Sequence, residues 1–485
     1  MKLSRSIVTF AAIAVPGVIV ATTSFLAPIT SGTLDRSPEQ VRMPTADTRV
    51  ICPGPLLTDK AAEGTDAEFV DDSNVSTRVL AASAPISAAD GSVSAARLRV
   101  ADLGGGPDFD QPASAGFVSG DDPVAGTKIV TGFARPGAPA LTTALETVEG
   151  TSGDLTGLAT LTCAEPASNF RILAGSGQPG SNSQLLLSNP GSAPVQARVQ
   201  MMTAAGARGE PTELSIRAGS QRAVRLAGLA AGAEELAVDV SVDGGVLAGS
   251  VQETKLDGLT PQGIDLSAAG AGADSEQVLT GMSGKSVRVR VANPSDDLAE
   301  VDLKAYGPDG GIDLPRSSLT VVAQGVAEAD LGELDAASIV VSSDRTVQAS
   351  GIVATNDDGG KGDFATLSAT DDLAETQLMA LPRTGSAELF LSPGQGQVQV
   401  AGMRDDGSLT DSRTVDLEES TTTRLNPAEI SPDAVRALVI GAANATGTVT
   451  GGVHASLLVT SDAGVSAVMP APAPAGVAYR DIRLR

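Results

Sequence analysis

Val287-Arg288-Val289-Arg290-Val291-Ala292-Asn293-Pro294 alternates apolar with charged residues and then stops at an Asn-Pro pair. Period-two alternation marks a β-strand with one apolar and one wet face, and proline, which cannot donate to a sheet ladder, ends it. The same stop recurs about one hundred residues to either side, in Leu187-Ser188-Asn189-Pro190 and Leu391-Ser392-Pro393-Gly394. A glycine turn follows each, at Gly206, Gly310 and Gly407. A new apolar-alternating run then begins at Leu214, Leu319 or Val415, and each copy closes in a valine-rich stretch, 236–251, 338–353 and 437–453. One supersecondary unit is used again and again.

No long helical periodicity interrupts this pattern, and Asp-Gly pairs at Asp243-Gly244, Asp309-Gly310 and Asp406-Gly407 supply turns. The reading is therefore an all-β chain of tandem immunoglobulin-like β-sandwich modules, with about seven short strands in each. A propeller is the alternative, although its blades are usually only about 40 to 50 residues. The boundaries are an apolar export segment at 1–34, a linker at 35–48, a first β module at 49–165, and β-sandwich repeats at 166–274, 275–374 and 375–485. The tail 477–485 is expected to return as a final strand, and its Arg480, Arg483 and Arg485 form the one locally basic patch. Asn189-Pro190, Asn293-Pro294 and Pro393 are expected as structural turns, with asparagine closing the loop.

Aromatic residues are 2% of the chain and there is no Trp, so Val, Leu, Ile and Ala must fill the cores. Small side chains bury little area each, which makes a covalent tie or packing between modules useful. The net charge of −25 is scattered through loops and argues against a nucleic-acid partner. Lys2 and Arg5 precede an uncharged stretch whose apolar part, 7–29, serves either as a membrane anchor or as a cleaved signal. In both cases the bulk of the chain is extracytoplasmic. There the two cysteines, Cys52 and Cys163, are expected to form a disulfide closing a loop of about 110 residues.

Chemistry is hard to find. His454 is the only histidine, which removes most metal sites and most nucleophile–base pairs. Gly175-Ser176-Gly177-Gln178-Pro179-Gly180 spells a dinucleotide fingerprint, but the strand pattern of Gln184-Leu185-Leu186-Leu187 follows where a helix is needed, so it reads as a hairpin loop. Asp239-x-Ser241-x-Asp243-Gly244 begins like a calcium loop, yet its twelfth position is Ser250 rather than Glu. No catalytic, cofactor-binding or metal-ligating residue is assigned, and the shortage of aromatic rings weakens a sugar-stacking role.

The leading apolar segment, Cys52-Pro53-Gly54-Pro55, Cys163-Ala164-Glu165-Pro166 and Leu187-Ser188-Asn189-Pro190-Gly191, in that order and spacing, resemble the DUF5719 family of exported actinobacterial proteins. The resemblance implies an extracytoplasmic, β-rich protein with no assigned activity, often encoded near a large membrane glycosyltransferase. Relatives tend to carry tryptophan soon after the second cysteine motif, where this chain has Ser168-Asn169-Phe170-Arg171. The functional expectation is a non-enzymatic cell-envelope scaffold or accessory, its modules standing in a row as a stalk. Deleting one repeat would then leave the others folded. The alternative is a module binding polysaccharide or protein that assists a membrane glycosyltransferase.

Overall fold

The computed structural model describes residues 39–42, 46–57, 73–84, 86–87, 93–94, 96–105, 109–112, 117–118, 122–134, 140–355, 361–373, 376–392, 394–430, 435–442, 452–471 and 479–482. The apolar segment 7–29 and Pro393 lie outside these residues. Among the described residues there is no α-helix, only short 3-10 turns between strands, and no helix long and apolar enough to cross a membrane. The chain forms two compact units, 45–476 and a smaller one made of 1–44 with 477–485.

In the larger unit the strands fall into small antiparallel sheets with one repeated order. The second module shows it plainly. Asn169–Ile172, Ala237–Asp243, Val195–Thr203 and Gly206–Ile216 form one sheet, in module order first, sixth, third and fourth. Ser220–Arg225, Ser181–Asn189, Ala248–Asp257 and Thr260–Ala268 form the other, in order fifth, second, seventh and eighth. Inward residues of both sheets, among them Ile172, Leu187, Val199, Val240 and Val251, share one core. The module thus has eight strands where about seven were expected, because the fourth and eighth are separate edge strands.

The same order recurs from Gln377–Ala380 to Val465–Val468, and also in the first module, from Thr48–Cys52 to Gly157–Thr162. The first module is therefore a further copy of the unit, disguised in sequence by two extra short strands, Ile86–Ser87 and Val93–Ser94. In the third copy Asp274–Asn293 and Gly325–Ala354 each run through both sheets, which fuses them into one.

The modules do not stand in a row. Each packs on the next, and the fourth packs back on the first. Leu56, Val148 and Leu161 of the first meet Ile264 and Leu266 of the second. Leu173, Met202 and Ala237 of the second meet Ala292 and Val326 of the third. Phe390, Leu458 and Val465 of the fourth join the core of the third. Ala82, Ala84 and Leu141 of the first meet Leu378, Met403 and Ala437 of the fourth. This corrects the expected stalk, and the reason is core size. Among the described residues of the first module, Val50, Cys52, Val79, Ala81, Leu98, Val130, Ala144 and Cys163 make a small core of its own, and Leu56, Leu80, Leu141, Leu145, Val148, Leu158 and Leu161 are buried in clusters shared with its neighbours.

Within the ring, the two sheets of a module differ. The first-sixth-third-fourth sheet is the outer one, wet on its second face where no neighbour covers it: in Ala299–Gly307 Ala299, Val301, Leu303 and Ala305 are buried while Glu300, Asp302 and Lys304 are exposed, whereas Met202, Ala237, Leu378, Met403 and Ala437 of these sheets pack on neighbouring modules. The fifth-second-seventh-eighth sheet is inner, and its central strands, such as Ala248–Asp257, are buried on both faces over most of their length. The eighth strands, Gly157–Thr162, Thr260–Ala268, Phe364–Ser368 and Val465–Val468, contact one another in turn around the axis of the ring.

In the smaller unit Glu39–Arg42 pairs antiparallel with Tyr479–Ile482, in the register Val41↔Arg480. The segment read as a linker thus contains a strand. The tail does return as one, but it joins this unit rather than the last module.

Candidate functional site

Four inner strands meeting on an axis bring four equivalent positions together. At or near the start of each lies a small or polar residue followed by an apolar one: Gly157-Leu158 at the strand's first residue, Gly263-Ile264 within Thr260–Ala268, and Asp363-Phe364 and Gly464-Val465, whose first members immediately precede their strands. Asp363 is the exception among three glycines. Its Oδ2 accepts the backbone N–H of Leu158 at 2.8 Å and of Val465 at 2.9 Å, and its Oδ1 accepts that of Ile264 at 3.1 Å. The residue is 3% exposed. Burial raises its pKa well above the usual carboxylate range, opposed by these N–H donors and that of Phe364.

Farther along the axis the same strands line a cavity of about 180 Å³, bordered by Thr160, Thr162, Ser267, Thr366 and Gln377. Two of its hydroxyls are committed to the fourth module: Thr160 Oγ1 donates to the Ala467 carbonyl at 2.8 Å and Thr162 Oγ1 to that of Met469 at 2.6 Å. On the buried Thr260–Ala268 strand, Asp265 accepts from Ser267 Oγ at 2.8 Å, and burial pushes its pKa up to about 6.

A second concavity, about 360 Å³, lies between the second and third modules and is lined by Ser181, Lys255, Arg288, Arg290 and Phe364. Lys255 Nζ sits 3.8 Å above the Phe364 ring centroid, a cation–π geometry. Arg290, 5% exposed in its side chain, pairs with Glu328 at 3.1 Å and donates to the carbonyls of Gly175 at 3.0 Å and Leu236 at 3.3 Å. Arg288 reaches Glu328 at 2.8 Å. Burial of Glu253 would raise its pKa, but Lys255, Arg290 and Ser181 bring it below the usual range. The face of Val287-Arg288-Val289-Arg290-Val291 expected to be wet is therefore partly an interface.

The fingerprint loop borders this cleft. Gly177 N donates to the Ala233 carbonyl at 2.7 Å and Ser176 N to Ser183 Oγ at 2.9 Å, so these N–H groups are already used. It leads from Asn169–Ile172 in one sheet to Ser181–Asn189 in the other; it is a crossover, not a hairpin loop. The calcium-like residues belong to a strand, with Asp239 paired to Arg171, and Asp243 to Arg198 at 3.0 Å. His454 Nδ1 lies 2.7 Å from the Thr370 carbonyl, and burial lowers its pKa.

Cys52 ends the first strand of the outer sheet, Cys163 follows the eighth strand of the inner one, and they are joined as a disulfide with Cα atoms 4.7 Å apart. Beside them the 53–57 loop docks on the second module. Gln221 Nε2 donates to the Pro53 carbonyl at 2.9 Å, and Gln252 both accepts from Leu57 N at 2.9 Å and donates to its carbonyl at 3.0 Å. Gly54 N donates to Oε2 of the fully buried Glu146 at 2.8 Å, while Oε1 has no hydrogen-bond partner among the described residues. Burial outweighs that N–H and pushes the carboxyl up to about 8.

The turn residues are placed alike. Asn189 Nδ2 donates to the carbonyls of Ala193 at 2.9 Å and Ile216 at 3.1 Å while its Oδ1 accepts from Gly191 N at 2.8 Å. Asn293 Nδ2 donates to those of Asp297 at 2.7 Å and Val321 at 3.2 Å, and its Oδ1 accepts from Ser295 N at 3.0 Å. Pro190 and Pro294 follow in these loops. Asp363, Glu146, Asp265 and Arg290 were not singled out by sequence reasoning. Aligning the starts of the eighth strands would have exposed Asp363; the others carry no local signal.

No curated protein matches the chain. The family described as "Family of unknown function (DUF5719)" matches residues 118–428, from the first module into the fourth, and with well over half its length covered the chain belongs to that family.

Proposed function

We propose that the protein is a non-enzymatic, extracytoplasmic component of the cell envelope, a scaffold or accessory in envelope assembly whose immunoglobulin-like sandwiches present their loops to other proteins. The observation that carries this reading is the buried disulfide between Cys52 and Cys163, which suits an oxidising compartment. The ring adds a rigid body, since each module is fixed by two neighbours. Residues 7–29 would hold it at the membrane, or release it if cleaved. Cell fractionation with sequencing of the mature amino terminus tests the location, and crosslinking in living cells tests the role. Repeated capture of one envelope protein or glycosyltransferase is expected. A cytoplasmic pool with both thiols free to alkylate would overturn the reading.

The second reading, a polysaccharide-binding module assisting a glycosyltransferase, is favoured by the cleft beside Lys255, Arg288 and Phe364, which matches a carbohydrate bearing acidic groups. A glycan array on the ectodomain and on Arg288→Glu separates the two readings. Binding to acidic glycans that the variant loses supports the second, and no binding leaves the first.

A further inference from the structure

We infer that the axis of the ring is a carboxylate-binding site made of backbone N–H groups from three modules, and that Asp363 of the third module is its built-in ligand, holding the ring closed. The inference goes beyond the scaffold reading and does not depend on it. Leu158, Ile264 and Val465 belong to the first, second and fourth modules, and each directs its N–H to the same carboxylate. Three buried donors converging on one point need an acceptor with several lone pairs; the two carboxyl oxygens of Asp363 supply them, and the three N–H groups favour its ionised form against the opposing effect of burial. The side chain is aimed by its own backbone: Asp363 N donates to Thr355 Oγ1 at 3.0 Å and its carbonyl accepts from Thr355 N at 3.0 Å.

The neighbouring glycines show that the site has room for one ligand. A Cβ added at Gly157, Gly263 or Gly464 would stand 2.7, 2.2 or 1.7 Å from an Asp363 carboxylate oxygen. One strand of the four therefore supplies the acid and the other three must be bare.

The test uses the whole extracytoplasmic chain and sodium formate, the smallest carboxylate, against sodium chloride at equal ionic strength. Asp363→Gly makes all four positions glycine and empties the site. Its unfolding midpoint should fall by roughly 5–10 °C, formate at 0.2 M should restore at least half of that loss, and wild type should respond equally to both salts. Gly464→Ala should also fall but show no formate response, because the added methyl group occupies the site. If Asp363→Gly does not fold, Asp363→Asn carries the test. Its amide nitrogen faces a donor, so it should be less stable than wild type and gain nothing from formate. Undiminished stability in either Asp363 variant, a loss in Asp363→Gly that formate does not repair, or chloride acting as well as formate would overturn the inference.

Discussion

An exposed strand of an outer sheet and a central strand of an inner one are written in nearly the same alphabet, and they live in different solvents. Ala299–Gly307 turns Glu300, Asp302 and Lys304 to water. Ala248–Asp257 alternates Val251 with Ser250 and Gln252, yet its polar face is as buried as its apolar one. There a polar residue can hydrogen-bond a neighbouring module, as Gln252 does with Leu57 of the first. Alternation thus tells which residues face a module's own core. It does not tell whether the opposite face meets water or another protein surface, because a satisfied buried amide and a solvated one look alike in sequence.

The hardest test of that contrast is removal of residues 275–372. If the inner faces were wet, the remaining modules would stay folded. Because they are interfaces, and because the deletion also removes Asp363, the remainder should lose its cooperative unfolding transition and become protease-sensitive, measured by circular dichroism and limited trypsin digestion. Cutting the tie between outer and inner sheets of the first module comes next. Cys52→Ser with Cys163→Ser reopens a loop with sequence separation 111, a loss of about 4 to 5 kcal/mol in the chain-entropy model, to be read from urea unfolding with and without reductant.

A pair of arginines sharpens the contrast at single-residue scale. Arg290→Ala leaves the buried carbonyls of Gly175 and Leu236 without this donor and leaves Glu328 to Arg288, at a cost of about 1 to 3 kcal/mol. Arg198 on the outer sheet, 51% exposed and 3.0 Å from Asp243, should cost less than about 1 kcal/mol when replaced by Ala. Equal losses in denaturant titrations would erase the distinction.

Glu146 gives the contrast a pH dependence. Its carboxyl, pushed up to about 8 by burial, keeps its proton in the folded chain after the unfolded chain has released it. Its contribution is therefore fully present at acid pH below about 4.5 and falls by about 1.4 kcal/mol per pH unit, roughly 3 kcal/mol by pH 7, levelling off above the folded pKa. Glu146→Gln should flatten that part of the stability–pH curve, and an unchanged curve would show that the carboxyl is not dry.

Strand content and the module period were legible in the sequence because side-chain alternation and Asn-Pro turns are local. Asn189 and Asn293 could be read as loop closers from their neighbours alone. The cysteine pairing followed from there being two thiols. Ring closure was not legible, since it depends on surfaces matched across hundreds of residues. Leu80, Leu145 and Leu158 are ordinary strand leucines that pack into the core of the fourth module. Asp363 follows Asp357-Asp358-Gly359-Gly360 in the sequence with no local pattern to set it apart, and three N–H groups from other modules distinguish it.

The bond from Thr160 to Ser466 spans 306 residues, and this sets a timetable for the growing chain. At synthesis rates of about 5 to 20 residues per second, the first module exists for roughly 15 to 60 s before the strand that covers its inner face has been made. Throughout that interval its leucine-bearing surface and paired strands stand uncovered, an invitation to other chains doing the same. A protein closed by its last module therefore carries an exposure during birth that a row of self-sufficient modules would not.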